Sequence, residues 1–411
     1  MNNFCVAPWM HLHVINDGRA FPCCQTPIES KNSFGNVKTE SIKSIMNSTQ
    51  AKTMRKDMLE NKPLPESCIR CTEKEKANMN SMRTGLNSKW KESVQDSIDT
   101  TTKDGEITNI ELKYWDYRFS NFCNLACPTC SPLFSTTWFK DWNKLYPGLN
   151  KDPALVDLKD AEIFWNDLEK YILNTEEIHI AGGEPFMMPE NIRILNLLDN
   201  ADKTDVTIKY STNCTNLVQK GHNIIDRLKK YNYVHLSCSI DAVEDAFEYI
   251  RYKGVWKTTF ENLKKIRNSG LDYWIHPTVS ILNIFRLTEL HNILHKADII
   301  PLEKVCETRG FNIDNYWVDR MHFNPLFTPE YDSITVLPPS LKEQAAEKIT
   351  IYGKKLEKDF GIPFKGWQSI LDFMYQSDNS NLYEEFLQKT TDLDSIRNNS
   401  FFKINKEFLD V

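Results

Sequence analysis

Eight of the eleven cysteines crowd into the first third of the chain: Cys5, Cys23, Cys24, Cys68, Cys71, Cys123, Cys127 and Cys130. The first five belong to a segment, residues 1–75, that is short-elemented and turn-rich. Asp17-Gly18 reads there as a hairpin turn between two short strands, and Ser41 to Leu59 as a helical stretch. A module below roughly 70–80 residues draws little stability from a core alone, so it needs a metal staple or a large partner surface. The opening residues lack the basic flank and apolar core of a secretory signal, so we expect a cytoplasmic, reducing setting in which clustered thiols serve metals rather than disulfides. No run approaches the roughly 18 apolar residues of a membrane span. Fifty basic and fifty-six acidic residues give a net charge of −6 at pH 7, which disfavours non-specific nucleic-acid binding.

Residues 76–106 are polar and read as a helical linker closed by the Asp104-Gly105 turn. From residue 107 the pattern turns to strand-length apolar stretches alternating with amphipathic helices, the mark of repeated βα units and a parallel sheet. The strands fall at Asn109 to Ser120, Glu177 to Ala181, Val206 to Ser211, Tyr233 to Ile240, Tyr273 to Ser280 and Tyr316 to Phe323. Helices are expected at Ala161 to Leu173, Ile192 to Asp199, Asn223 to Tyr231, Val255 to Asn268 and Thr288 to Ala297. Six units over residues 107–325 predict an α/β fold, a partial (β/α)6 TIM-like barrel with an open side. The small Cys-rich module precedes it and helices over 326–411 follow it. In such folds the reactive groups sit at the C-terminal ends of the strands.

The loop after the first of these strands reads Cys123-x3-Cys127-x2-Cys130. Three thiolates at this spacing can wrap one cubane iron-sulfur cluster and leave the fourth iron open to a ligand. The alternative is a zinc knuckle, for which His179 or His235 would supply the fourth ligand. This loop resembles that of the radical S-adenosylmethionine (radical SAM) enzymes, Cys-x3-Cys-x-aromatic-Cys, with Thr129 where the family usually has an aromatic residue near the adenine. Ala181-Gly182-Gly183-Glu184-Pro185, ending the second strand, resembles the family's Gly-Gly-Glu-Pro motif. The resemblance implies that Gly182, Gly183 and Glu184 receive the methionine amine of SAM. Asn213 and Ser239 stand where the family has polar strand ends. The resemblance makes Ser239 and Arg251 partners of the SAM carboxylate and ribose, while Asp241 is placed to cap the next helix.

Cys5, Gly18 and Cys23 in a Cys-x12-Gly-x4-Cys pattern, followed by Cys68-x2-Cys71, make a second thiol set. Four thiolates suit zinc and a cubane cluster equally. The pattern resembles the opening of SPASM and the shorter twitch domains, which implies an auxiliary iron-sulfur cluster on Cys5, Cys23, Cys68 and Cys71. Here the module precedes the barrel instead of following it. Cys24 is left as a spare thiol, because adjacent side chains in extended chain point opposite ways. Cys214, Cys238 and Cys306 read as buried residues, with Cys214 also a candidate substrate-side thiol at a strand end.

The resemblance implies two 4Fe-4S clusters, one catalytic and one auxiliary, and S-adenosylmethionine as cofactors, with a low-potential donor such as flavodoxin or ferredoxin as partner. It implies reductive cleavage of SAM to a 5′-deoxyadenosyl radical that abstracts hydrogen from a peptide or protein side chain. Dehydrogenation of a small molecule is the alternative, and a zinc or iron-sulfur binding protein on a decayed barrel is the non-catalytic one. Trp115, Tyr117, Tyr316 and Trp317 are strand aromatics expected in the core, with a cavity lining as the other possibility.

Overall fold

The computed structural model describes residues 3–76, 80–149, 154–219, 221–301, 317–318, 320–362 and 364–409. It divides into two compact units, the first of Met1–Phe122, Leu155–Ser211 and Arg227–His235 and the second of Cys123–Ala154, Thr212–Asp226 and Leu236–Val411.

In the first unit, strands β1 (His11–Val14), β2 (Arg19–Phe21) and β3 (Gly35–Asn36) form an antiparallel meander. The turn between β1 and β2 is the expected one at Asp17-Gly18. Gly18 takes φ +93°, and a Cβ there would lie 2.3 Å from Asn36 Oδ1, so only glycine fits. β1 also pairs in parallel with β4 (Tyr114–Arg118), His11 opposite Tyr114 and His13 opposite Asp116. β4 pairs in parallel with β5 (Glu177–Ala181), and β5 with β6 (Thr207–Thr212). The cysteine-rich segment is thereby the continuation of the parallel sheet, a junction that the sequence pattern did not reveal. β4 is shorter than the expected Asn109 to Ser120.

The two faces of this sheet differ. Trp115, Tyr117 and Phe119 are fully buried. Tyr117 meets Phe164 edge-on at 5.2 Å and Phe119 stacks on Trp165 at 5.4 Å, both rings carried by the helix Glu162–Tyr171. These strand aromatics are core. The opposite face carries His13, Asp116, Arg118, Glu177, His179, Lys209 and Ser211, an inner surface of charges and hydrogen-bonding groups. Glu177 is almost fully buried yet satisfied, with Lys89 Nζ at 2.5 Å and Lys209 Nζ at 2.7 Å.

The stretch Ser41 to Leu59 splits into two helices, Ile42–Met46 and Thr49–Leu59, because Ser48 caps the second by accepting from Ala51 N at 3.3 Å. On the second helix Arg55 is completely buried and donates to Gly105 O at 2.7 Å, Met46 O at 2.8 Å and Pro8 O at 2.9 Å. The helix Met82–Trp90 is packed down. Trp90 stacks on Tyr114 at 5.4 Å, and Asn87 donates to Phe4 O and accepts from Val6 N, both at 2.8 Å.

The second unit contains the end of the strand Tyr233–Cys238, the helices Glu244–Ile250, Trp256–Arg267 and Leu287–Lys296, and the C-terminal helices Pro339–Phe360, Lys365–Tyr375 and Tyr383–Arg397. The expected strand Tyr273 to Ser280 breaks into Asp272–Ile275 and Thr278–Val279 at His276-Pro277, where proline has no N–H for a ladder. The last expected strand is instead an antiparallel pair, Trp317–Val318 with Met321–His322, the latter parallel to Asp272–Ile275. Tyr316 and Cys306 lie outside the described residues. The fold class is α/β with a parallel sheet of the partial-barrel type, a small N-terminal part and C-terminal helices. No described helix is long and apolar enough to cross a membrane.

Candidate functional site

The three-cysteine loop opens the second unit, and four of its carbonyls, those of Cys123, Leu125, Ala126 and Cys127, accept hydrogen bonds. Thr137 Oγ1 donates to Cys123 O at 2.6 Å, Ser135 Oγ to Leu125 O, and Trp138 Nε1 to Cys127 O at 2.8 Å. Ala126 is held from both sides, its N–H on Tyr252 O at 3.1 Å and its carbonyl receiving Arg397 Nη2 at 2.7 Å. Arg397, from the helix Tyr383–Arg397, also has Nε 2.9 Å from Asp141 Oδ2 and lies over the rings of Tyr252 (4.1 Å) and Trp138 (4.9 Å). The three cysteines are half-buried, and Cys130 Sγ lies 3.7 Å from Ser131 O. Two of them face donors. Asn213 Nδ2 is 3.9 Å from Cys123 Sγ, and Arg251 Nη1 is 3.9 Å from Cys127 Sγ.

Asn213 is oriented by its neighbours, donating to Asn124 Oδ1 at 3.1 Å and accepting from Thr215 Oγ1 at 2.6 Å. Arg251 Nε is 2.7 Å from Asp241 Oδ2. Asp241 does not cap the following helix, which begins at Glu244 behind Val243; its Oδ1 accepts from Thr278 N at 2.8 Å instead. Burial pushes the Cys127 thiol up, against the pull of the Arg251 guanidinium, and burial with Cys127 as neighbour pushes Cys130 to about 12. Ser239 is half-buried, its N–H donating to Thr212 O at 2.8 Å.

In the first unit the Gly-Gly-Glu-Pro segment follows β5. Gly182 and Gly183 both take positive φ, +76° and +48°, and a Cβ on Gly183 would stand 2.4 Å from Phe122 O. Glu184 N donates to that same carbonyl at 2.8 Å. The turn is thus seated on the residue just before Cys123. The Glu184 carboxylate is buried and accepts from Phe186 N at 3.2 Å, capping the short turn that follows.

The N-terminal thiols also gather. Cys5 precedes β1, Cys23 follows β2, Cys68 ends the turn Glu66–Cys68, and Cys71 lies in the helix Ile69–Lys76. Burial, then neighbouring Cys23, raises Cys5 well above the ordinary thiol range. Burial, then Cys71, raises Cys23 to about 11. Burial with Cys23 and Cys71 raises Cys68 to about 12. Each shift names another cysteine of the set after burial, so the four groups share one environment. Among the described residues no group of three or more His, Cys, Asp or Glu is arranged to hold a metal ion. Cys24 points elsewhere, its sulfur 3.6 Å from Met82 Sδ and under the field of Asp116 and Arg118. Cys214 and Cys238 are buried, as expected.

Residues 117–290 match the radical SAM superfamily, and residues 5–72 match the SPASM iron-sulfur cluster-binding domain. The chain belongs to the radical SAM superfamily. Its SPASM domain stands at the N-terminal side of the radical SAM domain. No curated protein gives a match. Among solved structures, this radical SAM chain is similar to SuiB of Streptococcus suis bound to precursor peptide SuiA, at 15% identity and TM-score 0.36 over 57% of this chain and 49% of that one. It is similar to anSMEcpe with bound AdoMet at 12% identity and TM-score 0.40, over 58% of this chain and 60% of that one. It thus spans less than two thirds of either.

Sequence reading missed Arg397, because nothing local ties it to a loop whose Ala126 is 271 positions away. It also missed Asp116, and offered His179 only as a zinc ligand. The signal was present as alternating polar residues on strands otherwise apolar.

Proposed function

We propose that the chain is a radical SAM oxidoreductase or maturase acting on a peptide or protein side chain, with one cluster on Cys123, Cys127 and Cys130 and an auxiliary cluster on Cys5, Cys23, Cys68 and Cys71. The observation that carries this reading is the three-cysteine loop soon after β4, with four of its carbonyls held by hydrogen bonds and Asn213 and Arg251 each 3.9 Å from one of its sulfurs. A reduced cluster held by Cys123, Cys127 and Cys130 would, with SAM, supply radical chemistry able to abstract a hydrogen atom from the substrate. The residues of the chain position and protect. Gly182 and Gly183 let the turn pack tightly against Arg118 and Phe122, where a Cβ would collide, and so fix the strand end at which a ligand's amine would be received. Arg251 and Asn213 place positive charge and an amide dipole beside two of the sulfurs, which is how a protein tunes a cluster. Ser239, half-buried at a strand end, is kept as a SAM contact. The SPASM match supports the auxiliary cluster, and the use of such modules by peptide-modifying relatives supports a peptidyl substrate; a low-potential flavodoxin or ferredoxin is the fitting donor.

The test is iron and sulfide content after anaerobic reconstitution, comparing the intact chain with a Cys123, Cys127 and Cys130 triple alanine variant. About eight irons falling to about four is the expected result for two cubane clusters. About four falling to none would remove the auxiliary cluster from the mechanism, and iron-free, zinc-loaded protein would overturn the whole reading.

A further inference from the structure

Three strands of the first unit bring a carboxylate, an imidazole and a hydroxyl into one line. Asp116 sits on β4, His179 on β5 and Lys209 on β6, all in one register row, with Ser211 one step further along β6. His179 Nδ1 is 3.2 Å from Asp116 Oδ1, and His179 Nε2 is 2.9 Å from Ser211 Oγ. With Nδ1–H donated to the carboxylate, Nε2 is the acceptor for the serine hydroxyl. Asp116 is fully buried, while the His179 side chain keeps 18% of its surface and Ser211 is half-buried, so the line runs from a sealed anion to an accessible hydroxyl. Barrel interiors that only pack are filled with branched apolar side chains; this face is not. Ser211 follows Tyr210, the register partner of Ile180, and so lies level with Ala181, next to Gly182.

We infer that Ser211, His179 and Asp116 form a proton relay that deprotonates a hydroxyl or thiol of the substrate. The inference rests on the radical SAM reading and names a group its substrate carries. In the step, the substrate's O–H or S–H bond breaks and leaves its electron pair on the heteroatom. That proton passes to Ser211 Oγ as the serine proton moves to His179 Nε2, and Asp116, whose Oδ1 is shared with the Arg118 guanidinium, orients the imidazole through Nδ1. One proton moves and no electron does. Ser211 touches the substrate; His179 and Asp116 are positioning residues. The groups facing His179 are Asp116 and Arg118 on β4 and Lys209 on β6, with His13 of β1 3.5 Å from the other Asp116 oxygen. Burial outweighs Asp116 and keeps the imidazole below its ordinary range, hence neutral and able to accept near pH 7.

The experiment uses the full, anaerobically reconstituted chain and diisopropyl fluorophosphate, which forms an Oγ–P bond on an activated serine with loss of fluoride. Peptide mass mapping should place the label on Ser211. His179→Gln should slow labelling by roughly 100-fold, the scale of general-base assistance. The wild-type rate should be flat above neutrality and fall about tenfold per pH unit on the acid side, a limb that His179→Gln lacks. Folded, iron-loaded wild type without label on Ser211, or labelling equally fast in His179→Gln, overturns the relay. Ser211→Ala, carrying no label elsewhere, excludes a neighbouring hydroxyl. Formation of 5′-deoxyadenosine from SAM by the dithionite-reduced protein is measured in the same preparations. If it forms while Ser211 stays silent, the relay falls alone; if it does not form, the radical SAM reading falls and the relay with it.

Discussion

Arg397→Ala should loosen the loop that carries Cys123, Cys127 and Cys130 without touching any of them. The side chains of Arg397 and Asp141 are only 3% and 10% exposed. Removing the guanidinium leaves a buried carboxylate alone, which costs about 3–5 kcal/mol. The contacts over Tyr252 and Trp138 add roughly 0.5–1 kcal/mol each, in part the same energy counted twice, so we take ~4 kcal/mol for the whole change. For a unit of this size that corresponds to a fall in Tm of roughly 8–16 °C. Ala126 O loses its donor at the same time, so the loop should shed iron during gel filtration. The assays are thermal unfolding followed by circular dichroism and iron per chain before and after the column. Adding Asp141→Asn to the variant removes the stranded charge and should restore much of the Tm but not the iron. An Arg397→Ala protein that melts within roughly 2 °C of the parent and keeps all its iron would refute the argument.

Arg251→Gln removes a cation from beside Cys127. Reduction adds negative charge to a cluster on that loop, so its midpoint potential should drop by on the order of 30–60 mV, about 1 kcal/mol for a one-electron couple. An EPR-monitored redox titration reads this directly, and an unchanged potential would show that the guanidinium does not face the cluster. Asp332 supplies a pH test elsewhere. It is 4% exposed, and burial pushes its carboxyl up to about 7, above the ~3.9 of an unfolded chain. Its contribution is whole below about pH 4 and is lost as pH rises through about 7, because the unfolded state gives up the proton first. Asp332→Asn should therefore gain on the parent in Tm between about pH 5 and pH 8; parallel Tm curves would sink the assignment.

Where the sequence could be read, a local rule was at work. β5 runs over the residues that the apolar pattern marked, and Asp17-Gly18 makes the turn that its composition demands. The breaks were less visible because single residues decide them: Ser48 as a cap within an otherwise helical stretch, Pro277 within an extended one. The pairing of β1 with β4 was hidden for another reason. His-Leu-His-Val alternates like a half-exposed strand, yet all four residues are buried, with His11 Nδ1 2.9 Å from Tyr114 O and His13 Nδ1 3.1 Å from Asp116 O. Histidines that serve a sheet junction look polar on paper. At the candidate site the cysteine spacing announced the thiols. Arg397, and the row that joins Asp116 to His179, depend on partners set by tertiary pairing, which no local pattern carries.

The pairing of β1 with β4 has a consequence for how such a chain can be cut. A SPASM segment joined by a tether alone could be removed and leave the rest intact. Here, deleting the first hundred residues would strip β4 of its neighbour and expose a row of unpaired amides and carbonyls along a central strand. The shortened protein would seek a strand from another copy of itself. The segment is thus an edge guard as well as a carrier of thiols, and its loss should first be seen as aggregation, before any question of catalysis arises.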